Sequence, residues 1–161
     1  MCLTWQGREE RVAGHKVPFL QYVGCLAVVA ALQELFAQRL GDAYVASDFP
    51  IRIKWPNDVH VTRPGGTSVK LGGILGQTVS GRGAHSTVMG VGLNVTNAEP
   101  TTCANSVLED MASRHGIGVE PLSRGTVLAA VLNHFEVFVQ VCARLCKRAD
   151  AVCGGSFRVF C

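Results

Sequence analysis

The stretch KLGGIL at 70–75 places a lysine ahead of a glycine pair inside an otherwise apolar run. Glycine weakens a strand, so Gly72 and Gly73 mark either close approach by a ligand or a bulge and tight sheet packing. A lysine beside such an opening can reach a carboxylate and a phosphate together and offset charge on both. Two other segments carry groups of the same kind. In KWPND at 54–58, Pro56 stops a strand and Asn57 and Asp58 project from a tight turn, either as site residues or as turn residues bonded to local backbone. In GVGLNV at 90–95, Gly90, Gly92 and Asn94 alternate and therefore share one face of a strand, leaving room for a flat ring or a phosphate beside one polar amide. No third glycine opening a helix follows them, so a dinucleotide fingerprint is ruled out.

The elements that must hold these groups can be read from periodicity. Leu26, Val29, Ala30, Leu32, Leu35 and Phe36 recur at helical spacing within a helix predicted over 17–38. From Ile51 the period becomes two, with Ile51, Ile53 and Trp55 alternating against Arg52 and Lys54 in a short strand. Strands over 59–61 and 69–78 bracket a hairpin connection at 63–67. A second hairpin has SGRG at 80–83 as its tip and 86–95 as its return strand. Helices follow over 106–114, closed by Gly116, and from a Ser123 cap onward with Val127, Leu128, Val131, Leu132, Phe135, Phe138, Val139, Cys142 and Leu145 on the buried side. The layout is α+β, a mixed and largely antiparallel sheet flanked by helices. Segments 1–16 and 148–161 show no pattern and stay unassigned, leaving one domain over 17–147.

Composition excludes several classes. Apolar residues at 48% against 17% charged describe a chain able to build a core, not a disordered one. A net charge of +3 suits a small anionic ligand and is too weak and scattered for nucleic acid. The apolar run at 22–35 is interrupted by Gln33 and Glu34 and is expected to be too short for a membrane, and the charged start argues against a signal peptide. Seven cysteines without a framework are expected to be reduced thiols in a cytoplasmic protein. Cys142 and Cys146 lack partners at zinc spacing, the five histidines are scattered, and no metal site is expected.

In order and spacing, KWPND, KLGGIL and GVGLNV resemble the catalytic domain of the biotin protein ligases (holocarboxylase synthetases), most of all the eukaryotic ones, across about 17–100. The resemblance implies the biotin/lipoate ligase catalytic fold, similar to class II synthetases, and an ATP- and magnesium-dependent reaction. Biotin is activated to biotinyl-5′-AMP and then passed to a lysine of a carboxylase acceptor domain. It assigns Lys70 as the catalytic lysine, Gly72 and Gly73 to the biotin slot, and Lys54, Asn57, Asp58, Gly90, Gly92 and Asn94 to the nucleotide side. The family's arginine-rich GRGRxGR-type loop lies upstream of these segments and its small β-rich domain lies downstream. The resemblance therefore implies an incomplete, truncated catalytic domain and, for this stretch alone, poor turnover. The SGRG segment sits too late in the order to be that loop and reads as a turn. A lipoate–protein ligase, and a non-catalytic form that binds carboxylases or a full-length ligase, are the alternatives.

Overall fold

A computed structural model of the chain describes residues 2–7, 17–81, 84–148 and 155–160. It contains six strands, β1 (Cys2–Gly7), β2 (Ile51–Lys54), β3 (Asp58–Thr62), β4 (Ser68–Gly81), β5 (Ala84–Leu93) and β6 (Gly155–Phe160). Three helices join them, α1 (Val17–Leu40), α2 (Ala104–Arg114) and α3 (Arg124–Arg148). The strands form one sheet in the order β2-β3-β4-β5-β1-β6, and every pairing is antiparallel. The expected α+β class with its two hairpins is present. The difference lies at the ends: segments 1–16 and 148–161 each supply a six-residue strand. Such short strands take their hydrogen bonds from a neighbour already in place, β1 from β5 and β6 from β1, so little in their own sequence announces them. The SGRG segment runs into positions 82–83, which lie outside the described residues.

Helix α1 buries Ala27, Val28, Ala31, Leu32, Leu35 and Phe36 and packs against β4. Gly24 sets the closeness of that contact, because a Cβ there would sit 2.8 Å from the Ile74 Cδ1 atom. By length and apolarity alone, Phe19–Ala43 and Arg124–Cys142 are long enough to cross a membrane, which the interrupted run at 22–35 did not suggest. Half of the first stretch is buried inside this fold, where its apolar residues serve the core.

In α2 the buried residues Ala104, Val107, Leu108, Met111 and Ala112 repeat at helical spacing, and Gly116 follows with a φ of 66°. The Ser123 hydroxyl accepts the Thr126 N–H at 3.0 Å and caps α3, which packs on α1 and buries Val127, Val131 and Phe135. Burial thins after Phe135, so Cys142 is exposed and not on the buried side that periodicity gave it. A His134 Nε2–Glu34 Oε2 pair at 2.6 Å ties α3 to α1.

Candidate functional site

Trp55, Pro56 and Asn57 connect β2 to β3, and the register sets Lys54 directly opposite Asp58. Trp55 does not continue the inward alternation of Ile51 and Ile53. It leaves the strand and lies 68% exposed beside the Tyr22 ring of α1, at a centroid distance of 5.6 Å. Asn57 holds the turn against β4: its Nδ2 donates to the Ile74 carbonyl at 2.8 Å, and its own carbonyl accepts the Ile74 N–H at 2.8 Å. Asp58 is thereby fixed opposite Gly73.

In an unbroken strand Lys70 and Gly73 would point to opposite faces. The β3–β4 register shifts instead: Val59 opposes Gly72 while His60 opposes Lys70, which leaves Leu71 as an extra residue. This β-bulge turns Lys70 onto the face shared by Asp58 and Gly73. There the Lys70 Nζ lies 2.6 Å from Asp58 Oδ1. A Cβ added at Gly73 would sit 2.7 Å from that same carboxylate oxygen and 3.5 Å from Lys70 Cε. Gly73 therefore makes room for the ion pair. Gly72 answers a different demand, because its Cβ would run into the Gly92 carbonyl and lie 3.1 Å from Leu93 Cα. Gly72 lets β4 and β5 close on each other.

Gly90 and Gly92 behave otherwise. Added Cβ atoms would meet only carbonyl oxygens, of Leu75 at 3.9 Å and Gly73 at 3.8 Å. They leave open space above β5, beside the 74%-exposed Leu75. The result is a cleft of about 840 Å³, within the range of small-molecule sites. Asn57, Asp58, Lys70, Gly72, Gly73, Gly90, Gly92 and Asn94 all line it, and Lys54 does not, standing exposed on the far side of Asp58. Asn94 closes one end: its N–H donates to the Leu71 carbonyl at 3.0 Å, and its Nδ2 to the Thr102 carbonyl at 3.2 Å and to Thr101 Oγ1 at 3.3 Å. Pro100 and Thr101, which no motif flagged, complete that wall.

Sequence reasoning also missed His60, counted only among scattered histidines. It opposes Lys70 and is 8% exposed, with Nδ1 2.9 Å from Ser68 Oγ and Nε2 3.9 Å from Asp58 Oδ2. Burial pushes its pKa below the usual value; Lys54 and Lys70 add to the fall and Asp58 opposes it. Its spacing two residues after Asp58 was the available signal. Among the described residues, no group of three His, Cys, Asp or Glu side chains is placed to hold a metal ion.

The profile of the Biotin/lipoate A/B protein ligase family matches residues 1–94 of the chain. Biotin–protein ligase 1, chloroplastic, of Arabidopsis thaliana is 36% identical over 137 residues, covering 85% of this chain and 34% of its own length. The biotin–protein ligase of Homo sapiens is 28% identical over 127 residues, 79% of this chain and 16% of the human protein. The chain thus spans about a third or less of the length of these relatives. The crystal structure of the Leishmania major biotin protein ligase in complex with biotinyl-5-AMP superposes with a TM-score of 0.58 at 24% identity, covering 85% of this chain and 53% of that one. The fold is shared with it.

Proposed function

The chain belongs to the biotin/lipoate A/B protein ligase family, and from that premise and the chemistry of the cleft we propose that it activates biotin with ATP for transfer to a protein lysine. The observation that carries the reading is the Lys70 ammonium, about half exposed, presented by a bulge at the edge of a glycine-floored cleft. A biotin carboxylate oxygen would attack the α-phosphate of ATP and release pyrophosphate. Two anions must be held together for that step, and a fixed cation between them offsets the charge that develops. Lys70 would supply that cation. Gly72 and Gly73 would border the biotin ring, with Gly73 leaving room for Asp58 and Lys70 to pair until the ligand arrives. Gly90 and Gly92 leave the space for the nucleotide.

Asn57 and Asn94 already spend amide N–H groups on backbone carbonyls and would act by shaping the walls and through their side-chain oxygens. Lys54 would add positive potential from outside the cleft. Magnesium would arrive with the ATP phosphates, with phosphate oxygens and water as most of its ligands. In the second step an acceptor lysine amine attacks the mixed anhydride and AMP leaves. The acceptors would be carboxylase domains, as the resemblance implies.

Calorimetric titration of the chain with biotin in the presence of MgATP tests the reading, with lipoate as the competitor. Biotin should bind and lipoate should not displace it. Failure of biotin to bind a chain shown to be folded would overturn the proposal.

A further inference from the structure

A buried imidazole nitrogen stands unsatisfied at the edge of the Lys70–Asp58 pair. His60 Nε2 is sealed from solvent and has no hydrogen-bond partner among the described residues, although a buried polar atom normally has one. Its side chain is 10% exposed, and Asp58 Oδ2 stands 3.9 Å from Nε2, too long for a hydrogen bond. The other carboxylate oxygen of Asp58 is held by Lys70 at 2.6 Å. On its far side, His60 Nδ1 meets Ser68 Oγ at 2.9 Å, so the hydroxyl can donate to Nδ1 while Nε2 carries the proton.

We propose that His60 is a positioning residue, the standby partner of Asp58: when Lys70 leaves the carboxylate for an anionic ligand, the imidazole Nε2–H takes its place. The proposal rests on the reading of Lys70 as the ligand-facing cation given above. A partly buried carboxylate stripped of its counterion is costly, and that cost would count against ligand binding. A donor waiting about one ångström beyond hydrogen-bond reach lowers it, since a small rotation of the ring closes the gap. No proton moves: Nε2–H donates, Asp58 accepts, and Ser68 keeps the tautomer. The charged surroundings favour a neutral imidazole for this role. Arg52 faces His60 from β2 with its guanidinium on the Phe49 and Ile51 carbonyls, Lys54 stands opposite Asp58, and Lys70 lies opposite on β4. From α1 the Cys25 thiol feels Asp58 as well. Two of these cations, Lys54 and Lys70, act on His60 and disfavour a further positive charge on it.

The test is imidazole NMR on the isotope-labelled 161-residue chain, with the His60 signals identified by their loss in His60→Gln. Lys70 is exposed and Asp58 partly so, at 53% and 28%, and neither belongs to the apolar core, so their variants should fold. In Lys70→Met the His60 Nε2–H should appear downfield and protected from exchange, and the His60 titration midpoint should rise by about one pH unit. In the Asp58→Asn/Lys70→Met double variant the downfield signal should vanish and most of the rise with it. A double variant that keeps both would mean that only the lysine charge matters, and would overturn the proposal. The same downfield signal should appear in the wild-type chain saturated with biotin and MgATP. If those ligands bind and it does not appear, the standby role is wrong while the proposed function stands. If they do not bind, the functional reading fails, and the Lys70→Met arm still decides on His60.

Discussion

At the scale of single residues, the site is a question of where one ammonium points. Lys70 stood out in the sequence as a lysine before two glycines in an apolar run, and its role as the catalytic lysine is what the resemblance implies. Asp58 was legible as the end of a strand-stopping turn. Their 2.6 Å pairing was not, because strict alternation along KLGGIL puts Lys70 and Gly73 on opposite faces. The extra residue at Leu71 reverses that, and a bulge depends on the facing strand as much as on its own. His60 escaped for the same reason, since its meaning comes from lying opposite Lys70. If Lys70 is the cation of adenylate formation, Lys70→Ala in a protein that also carries the family's arginine-rich loop should reduce pyrophosphate release in the presence of biotin and MgATP by ~100-fold, the order found when one preorganised donor is removed. The variant should melt near the wild-type temperature, because the lysine end of the pair is half exposed and His60 can take its place on Asp58. A folded Lys70→Ala protein releasing pyrophosphate at the wild-type rate would remove Lys70 from the chemistry.

At the scale of elements, two adjacent glycines of one strand serve different neighbours. The sequence left open whether Gly72 and Gly73 admit a ligand or permit packing, and in the structure each meets a different close neighbour. Gly72 faces the backbone of β5, whose carbonyl at Gly92 cannot move without opening the ladder. Gly72→Ala should therefore cost stability, about 1–3 kcal/mol as an overpacked site, read from urea melts. Gly73 faces the end of the Asp58 side chain, which can rotate away. Gly73→Ala should unfold within about 1 kcal/mol of wild type yet weaken biotin binding, because it displaces the pair that Lys70 belongs to. Equal stability losses with unchanged biotin affinity would assign both glycines to packing. Helices and hairpins were readable because their periods persist over many residues. The strands β1 and β6 were not, at six residues each, because neighbouring strands make up their pairing.

At the scale of the whole molecule, two buried titratable groups near Asp58 should bound the pH range in which the fold is most stable. Cys25, fully buried in α1, has its thiol pushed from 9.0 up to about 11, chiefly by burial and then by the Asp58 charge. A pKa raised in the fold gives stability that is whole below 9.0 and is lost as pH climbs toward 11. At 1.36 kcal/mol per pH unit the loss from this group is at most about 3 kcal/mol, large against a typical domain's total. His60 works at the other end. Its pKa is lowered, by burial first and then by the lysines, so its contribution is whole above 6.5 and is lost as pH falls below that value through the lower folded one. Denaturant melts across pH should therefore show a plateau between about 6.5 and 9, with a fall on each side. Cys25→Ala should lessen the alkaline fall and leave the acid side unchanged, and His60→Gln should do the reverse. Other groups titrate in the same ranges, so the differences from wild type carry the test, not the absolute slopes. If each variant parallels the wild-type profile at its own end, neither group is held away from its ordinary titration. The packing of α1 over the Asp58 end of the sheet would then be looser than the fold described here.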